Sequence, residues 1–244
     1  MPARATNDDA HRAHLAAVFL DAGGTLLTES PPRVEIYREA AARRGIDVSA
    51  PYLRDLMYRT HAELPRSAGE HFRYSQGWFR TFIARIFRDH LGLPSRELGA
   101  LENELFTRFA DPRTFRLFPG AIELAHDLRA RGLVVGVVSN WSETLPGVLD
   151  GLGLGRELDF VLVSSLERCE KPEPEFFRRA LARAGVEASR ALHAGNDRER
   201  DVQGARAVGI LPVLVLDEPN APADDGTARV GDLIELKQWI LARL

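Results

Sequence analysis

The sequence predicts an α/β protein with a parallel-sheet core and an all-helical cap domain inserted after the first strand. Three observations predict this class. A short apolar strand at residues 15–20 is followed by a long segment with helical periodicity. Beyond residue 118, short apolar strands alternate with helices, which implies right-handed crossovers and parallel pairing. The 244 residues are 45% apolar and 27% charged, which suits a packed core with an ordinary surface.

The first strand follows a polar segment, residues 1–14, that we interpret as a loose tail. This segment has no apolar stretch of the kind found in a secretory signal. The one cysteine, Cys169, cannot form an internal disulfide, which favours a reducing compartment. No apolar run reaches the length of a membrane span. We therefore expect a cytoplasmic protein without a membrane partner.

Residues 31–115 are predicted to form the cap. Their apolar side chains, many of them aromatic, recur at the spacing of one helix face. Gly45, Pro65 and the turn at residues 92–94 separate the helical stretches. We predict helices at residues 34–44, 52–63, 79–91 and 96–109. Such a cap would lie over the sheet, with two chain crossings that allow hinge motion.

Residues 15–30 and 116–244 are predicted to form a Rossmann-like core. After the first strand, we predict strands at residues 133–138, 160–163, 191–194 and 211–216, with helices at 120–131, 144–150, 173–184, 199–208 and 232–244. In open α/β sheets ligands bind at the carboxyl edge of the strands. A cap inserted after the first strand would close over that edge and exclude water.

Polar residues follow several of these strands and would meet at that edge. Helix capping explains Ser139 and Asp197, since Ser and Asp are good N-caps. It does not explain Lys171, because the helix dipole disfavours a cation near a helix N-terminus. The residues that follow the strands are Asp21, Gly24, Thr25, Ser139, Asn140, Lys171, Asn196, Asp197 and Asp201. We therefore predict a functional site at this edge.

The chain resembles the haloacid dehalogenase superfamily. The stretches DAGGTL, SN, KP and GNDRERD begin at Asp21, Ser139, Lys171 and Gly195, in the order of the four motifs of that superfamily. The resemblance covers nearly the whole chain, including a helical cap after the first motif. It implies a hydrolase in which Asp21 attacks the substrate and forms a covalent aspartyl intermediate. It also implies that Lys171 balances the charge of Asp21 and the substrate.

The same resemblance implies roles for the other site residues. Asp21, Lys171 and Asp201 would be catalytic. Gly23 and Gly24 would let the backbone approach the substrate. The implied substrate-binding residues are Gly23, Gly24, Thr25, Ser139, Asn140 and Asn196. If Mg²⁺ binds, the implied ligands are Asp21, Gly23, Asn196, Asp197 and Asp201. Asp201, with Asp197 or Asn196, would hold Mg²⁺ or position the hydrolytic water.

Two positions depart from the phosphatases of this superfamily. Gly23 stands where they carry a second Asp that protonates the leaving alkoxide. Asn196 stands where their fourth motif carries Asp, and this weakens a Mg²⁺ site because Mg²⁺ prefers carboxylates. The dehalogenases of the superfamily also lack the second Asp and use no Mg²⁺. They need a cap arginine for the halide, and Arg54 is the nearest positional match.

Three functions remain open from the sequence. The first is a dehalogenase-like hydrolase whose leaving group needs no protonation, and which would need no cofactor. The second is a weak or unusual Mg²⁺-dependent phosphatase. The third is a catalytically impaired binding protein of the same fold. The 32 basic and 35 acidic residues give a net charge of −3, which offers no reason to expect nucleic acid as a partner. We expect a small anionic substrate.

Overall fold

The structure is a computed structural model that describes residues 15–215 and 226–244. The predicted tail at residues 1–14 and the end of the predicted strand at 211–216 lie outside the described residues. In chain order the strands are β1 Ala17–Leu20, β2 Leu27–Glu29, β3 Ser67–Ala68, β4 His71–Phe72, β5 Phe115–Leu117, β6 Val134–Ser139, β7 Phe160–Val163, β8 Ala191–Gly195, β9 Leu211–Val215 and β10 Ala228–Val230.

Ten α-helices lie within the described residues. They are α1 Arg33–Ala42, α2 Ala50–Glu63, α3 Gln76–Ala84, α4 Ser95–Ala110, α5 Ala121–Arg129, α6 Leu145–Gly151, α7 Ser164–Glu167, α8 Pro174–Ala184, α9 Gly204–Arg206 and α10 Leu233–Leu241. Two π-helical segments, Arg85–His90 and Arg198–Gln203, continue α3 and precede α9. None of the described helices is long and apolar enough to cross a membrane.

Six strands form one parallel sheet in the order β10-β9-β8-β1-β6-β7. Strand β1 lies between β8 and β6, and its Leu20 is in register with Ala194 and Val137. The chain builds β6 and β7 on one side of β1 and then returns to build β8, β9 and β10 on the other. The carboxyl end of β1 is therefore the topological switch point, where such sheets bind ligands. The predicted Rossmann-like parallel core is confirmed.

Helices cover both faces of the sheet, and this explains why β1 reads as a continuous apolar run. All four residues of β1 are buried. Val18 and Leu20 pack in a cluster that contains side chains of α5 and α10. Ala17 and Phe19 pack in a second cluster, which contains side chains of α8. Because β1 is fixed on both faces and both edges, whatever follows it is held rigidly.

Helices α1 to α4 form their own hydrophobic cluster, which includes Tyr37, Leu53, Trp78 and Phe87. The helical insertion after the first strand was predicted from its periodicity, and it lies where expected. The two-residue ladder of β3 and β4 inside this segment was not predicted. The chain enters and leaves the cap through β2 and β5, which pair as antiparallel strands. The boundaries at residues 31 and 115 stay a prediction.

Polar groups connect the cap to the core next to the functional edge. Arg73 Nη1 lies 3.0 Å from Glu170 Oε1, and Arg66 Nη1 lies 2.8 Å from Glu173 Oε1. Burial raises the pKa of Glu170, while Arg73 and Arg66 partly offset this effect. These contacts hold the loop that carries Lys171 against the cap.

Candidate active site

Asp21 directly follows β1 at the switch point of the sheet. Its backbone N–H donates to Ala194 O of β8 at 2.9 Å, which extends the β1–β8 pairing by one residue. The chain then turns at once, because the N–H groups of Leu26 and Leu27 return to Ala22 O at 2.8 and 3.0 Å. Asp21 is 7% exposed and lies on the edge that the cap covers. Strand and turn together fix its position.

Lys171 places a buried ammonium group between two carboxylates. Its Nζ donates to Asp21 Oδ1 at 2.6 Å and to Asp201 Oδ1 at 2.5 Å. The Asn140 side chain holds the Lys171 backbone: Nδ2 donates to Lys171 O at 2.9 Å, and Oδ1 accepts from the Lys171 N–H at 2.8 Å. Asn140 thus positions Lys171. The predicted contact between Asn140 and the substrate stays a prediction. Nδ2 carries a second hydrogen that could make such a contact.

Ser139 ends β6, the strand next to β1, and its hydroxyl points at Asp21. Ser139 Oγ donates to Asp21 Oδ1 at 2.9 Å, and the side chain is buried. The Ser139 hydroxyl therefore binds the Asp21 carboxylate and does not cap a helix, as the sequence pattern had suggested. Ser139 and Lys171 both bind the same oxygen of Asp21.

One ammonium group and two buried carboxylates determine the electrostatics of this cluster. Burial raises the pKa of Asp21, and the attraction of Lys171 offsets this only in part. Burial acts the same way on Asp201, but Lys171 and the hydrogen bond with His193 outweigh it and lower the pKa of Asp201. Burial disfavours the charged form of Lys171, yet Asp201 and Asp21 raise its pKa. Lys171 and Asp201 thus stay charged, and Asp21 is the first of the two carboxylates to protonate as pH falls.

Both carboxylate oxygens of Asp201 have polar partners among the described residues. Its Oδ1 binds Lys171 and lies 2.9 Å from His193 Nε2, and its Oδ2 accepts the Asp197 N–H at 3.0 Å. The Asp197 carboxylate caps the π-helical segment instead, because Oδ1 accepts the N–H groups of Glu199 and Arg200 at 3.0 and 2.8 Å. Only Oδ2 is left free of these capping bonds, and its predicted ligation of a metal stays a prediction.

The turn after β1 touches the turn after β8. Gly24 has a φ of +79°, and a Cβ there would lie 2.5 Å from Asn196 Nδ2. Only glycine therefore fits this position, both for its backbone angle and for the close approach. Thr25 Oγ1 donates to Asn196 Oδ1 at 3.3 Å. Gly24, Thr25 and Asn196 thus form one connected rim beside Asp21.

The indole ring of Trp141 occupies the space beside Gly23. A Cβ at position 23 would lie 3.0 Å from Trp141 Cζ3, so any side chain there requires the ring to give by a few tenths of an ångström. The ring packs against Phe115 with centroids 5.6 Å apart. The Trp141 carbonyl accepts the Ser165 N–H at 3.2 Å. Gly23 and the Trp141 ring are thus in close contact, and an acid at position 23 would press on the ring.

A cavity of about 310 Å³ opens onto Asp21 between core and cap. We call it the catalytic cavity. Two arginines, Arg33 and Arg200, lie at this cavity, whereas Arg54, the positional match for a halide-binding arginine, is not part of its lining. The lining consists of Asp21, Gly23, Gly24, Leu27, Glu29, Arg33, Tyr74, Ser139, Asn140, Trp141, Lys171, Asn196, Asp197, Arg200 and Asp201. Thr25 is the one predicted site residue outside this lining, and it is buried behind Gly24.

The side chains of the site, as arranged, do not suit Mg²⁺, which requires oxygen ligands in near-octahedral order. The Lys171 ammonium lies between Asp21 and Asp201, and Asp197 caps a helix. Within residues 15–215 and 226–244, no three His, Cys, Asp or Glu side chains group together as metal ligands. The chemistry proposed below therefore uses only the residues of the chain.

Comparison with known proteins identifies the family. The model of the family described as haloacid dehalogenase-like hydrolase matches residues 15–209. The chain belongs to the haloacid dehalogenase-like hydrolases. It is 32% identical over 219 residues to haloacid dehalogenase-like hydrolase domain-containing protein 3 of Bos taurus, covering 88% of this chain and 87% of that protein. The family predicted from the four motifs is confirmed.

Solved structures with both kinds of activity in their descriptions resemble this hydrolase. A haloacid dehalogenase-type phosphatase of Thermococcus onnurineus is 26% identical with a TM-score of 0.64, covering 92% of this chain and 97% of the other. A 2-haloacid dehalogenase of Pseudomonas syringae is 25% identical with a TM-score of 0.68, covering 94% and 99%. Because the two are equally similar, the reaction has to be argued from the site itself.

Sequence reasoning missed several residues of the site of this hydrolase, among them Arg33 and Arg200 of the cavity lining. His193 bonds Asp201, and its signal was a histidine inside the otherwise apolar, buried strand β8. Trp141 directly follows the SN motif, but nothing in the sequence showed which way its ring points. Tyr74 lines the catalytic cavity from the cap and has a φ of +69°. The sequence around Tyr74 gives no signal for this conformation.

The buried ion cluster predicts a large stability loss for Lys171→Met. This change leaves Asp21 and Asp201 buried without a cation, which should lower the free energy of unfolding by about 3–5 kcal/mol at neutral pH. The folded pKa values of both carboxylates then rise above their unfolded values. The folded variant takes up protons first, so its deficit should shrink as pH falls towards about 5. Urea unfolding at both pH values measures this.

Lys237→Met is the matched control for this experiment. Lys237 forms a surface pair with Asp127 at 2.9 Å, so its loss should lower the free energy of unfolding by at most about 1 kcal/mol. A Lys171→Met variant as stable as this control would show that Lys171 does not hold the cluster together.

Proposed function

We propose that this chain is a hydrolase that acts on a small anionic molecule through a covalent aspartyl intermediate at Asp21. The observation that carries this proposal is the Lys171 ammonium 2.6 Å from Asp21 Oδ1 at the switch point, beside a cavity. Among the described residues, both groups that donate hydrogen bonds to the Asp21 side chain bind Oδ1. Oδ2 is therefore the oxygen available for attack.

In the first step, Asp21 Oδ2 gives an electron pair to the electrophilic atom of the substrate. The bond to the leaving group breaks, and the leaving group departs with its electron pair. Lys171 stays protonated and offsets the negative charge that gathers at this site. In the second step, water cleaves the new ester or acyl phosphate, which releases the product, restores the Asp21 carboxylate and gives one proton to the solvent. Ser139 and Lys171 keep Oδ1 in place throughout.

The site favours a leaving group that departs as a stable anion, as a halide does. Gly23 offers no acid, and Trp141 fills the space beside it. The other carboxylates of the catalytic cavity are engaged: Glu29 pairs with Arg33, while Asp197 caps a helix. General acid catalysis typically contributes about 10²–10⁴-fold, so alkoxide leaving groups should react slowly here. The resulting proposal is a dehalogenase-like reaction that needs no cofactor.

A weak Mg²⁺-dependent phosphatase is the second candidate. Asn196 lies at the catalytic cavity, and its amide oxygen is a neutral ligand of the kind that Mg²⁺ accepts. The similar phosphatase structure described above also favours this candidate. A binding protein without activity is a third candidate, and the retained cluster of Asp21, Lys171 and Asp201 argues against it. For each candidate we propose a cytoplasmic protein with no nucleic-acid or membrane partner.

The proposed nucleophile predicts the result of Asp21→Asn. This variant should lose at least ~10³-fold in turnover, because the amide cannot form the covalent intermediate. Turnover is measured with 2-chloropropionate and with nitrophenyl phosphate, each with and without Mg²⁺. Asp55→Asn, which removes an exposed carboxylate paired with Arg59 in the cap, serves as control and should keep full activity. Turnover by folded Asp21→Asn at the level of this control would exclude a covalent mechanism at Asp21.

The Gly23–Trp141 contact predicts how an acid could be restored. Gly23→Asp alone must displace the indole, an overpacking that should lower the free energy of unfolding by about 1–3 kcal/mol. In Gly23→Asp combined with Trp141→Ala, the carboxyl group has room. This double variant should hydrolyse methyl phosphate about 10²-fold or more faster than Trp141→Ala alone, by general acid catalysis. If the folded double variant gains nothing over Trp141→Ala, a missing acid does not limit this protein.

A further inference from the structure

A second cavity of about 120 Å³ lies next to the catalytic cavity, inside the cap. Its walls are mainly the rings of Tyr37, Trp78, Phe79, Phe82, Phe106 and Phe109. We call it the aromatic chamber. Its core side is closed by the loop that starts at Asn140.

The aromatic chamber and the catalytic cavity share four lining residues: Arg33, Tyr74, Asn140 and Trp141. A ligand that places its reactive group at Asp21 would therefore have the rest of its body beside these residues. Arg33 lies with its guanidinium carbon 5.4 Å from the Phe109 ring centroid, at the boundary between the charged and the aromatic space. Anionic and apolar parts of one ligand thus find separate surroundings in two adjoining cavities.

The rings of the chamber brace each other, which keeps the space open. Trp78 stacks on Phe82 with centroids 5.5 Å apart. Tyr37 contacts Phe82 edge-on at 6.5 Å, and Phe79 contacts Phe109 at 6.2 Å. Trp78 is also fixed by its indole N–H, which donates to Pro65 O at 2.8 Å. Rings held in this way cannot collapse into the void, so the chamber is preformed for a ligand.

Apart from Arg33 at the boundary with the catalytic cavity, the polar groups of the chamber carry no charge at neutral pH. His61 Nε2 lies 3.1 Å from the Tyr74 hydroxyl. Burial, together with the nearby Arg73, Arg200 and Arg33, lowers the pKa of His61 to about 4. Beyond Arg33, a neutral imidazole and a phenol offer no charge that an anion could use. The charged part of a ligand therefore belongs in the catalytic cavity and the uncharged part in the chamber.

We propose that the aromatic chamber receives the apolar body of the substrate, so that the substrate is an organic anion with a body of up to about one six-membered ring. The size follows from the volume: an apolar cavity of about 150 Å³ holds benzene, and the chamber, at about 120 Å³, is slightly smaller, so one ring is the upper limit. A two-ring body exceeds the space. Such an anion would be the substrate of the hydrolase proposed above, and this assignment rests on that proposed function.

The test measures binding of stable phosphonates, which the protein cannot hydrolyse at the carbon–phosphorus bond. The probes are methylphosphonate, benzylphosphonate and naphthylmethylphosphonate, with acetate, phenylacetate and naphthylacetate as a carboxylate series. Burial of one ring should tighten binding at least ~10-fold over the methyl probe, and the naphthyl probe should bind more weakly than the benzyl probe. Calorimetry gives the affinities. Tryptophan fluorescence locates the ligand, because Trp78 and Trp141 line the chamber while the third tryptophan, Trp239, lies under Arg243.

Met57 lines the chamber and offers a matched pair of variants. Met57→Phe fills the space and should remove the benzyl advantage without changing methylphosphonate affinity, whereas Met57→Leu should keep it. Equal affinity for methyl and benzyl probes in the unaltered chain, or no binding of either series, overturns the proposal. Binding is measured without turnover, so this result is independent of Asp21→Asn. A preserved ring preference with a failed Asp21 test would refute the covalent mechanism alone.

Discussion

The site depends on one buried ammonium group shared by two carboxylates. Lys171 joins Asp21, which follows β1, to Asp201, which follows β8, and it does so from a loop that belongs to neither strand. Two buried carboxylates repel each other and lose their hydration, so neither would stay ionised there without a cation. Every other polar contact of the cluster positions a member of this group: Asn140 holds the Lys171 backbone, and His193 holds Asp201.

The strand order explains why these groups meet. Strand β1 lies between β8 and β6, so the residues after all three strands converge at one edge. The same edge receives Trp141, and this residue changes the chemistry. Gly23 and Trp141 are complementary, since a Cβ at position 23 would already lie 3.0 Å from the ring. The cap adds the aromatic chamber next to the charged residues of the catalytic cavity. The result is a nucleophile without a neighbouring acid, in a space that separates charged from apolar parts of a ligand.

Much of this arrangement could be predicted from the sequence. Parallel strands end at one edge, so Asp21, Ser139, Lys171 and Asp201 could be brought together from the order of strands and motifs alone. The direction in which loop side chains point could not be predicted from the sequence. The Trp141 ring reaches Gly23 because of how the loop after β6 packs against Phe115, and Tyr74 reaches the site only through the fold of the cap. Asp197 shows the same limit. An Asp that ligates a metal and an Asp that caps a helix give the same sequence pattern, and the structure shows that Asp197 is a cap.

The most direct test of the account is to look for the covalent intermediate itself. The protein is mixed with a substrate that it turns over, quenched in acid within one turnover and digested, and the peptide that contains Asp21 is weighed by mass spectrometry. The account predicts that this peptide gains the mass of the transferred group, and that the gain is absent in Asp21→Asn. A substrate that is turned over while the Asp21 peptide keeps its mass at every quench time, or a gain on another peptide, would contradict it.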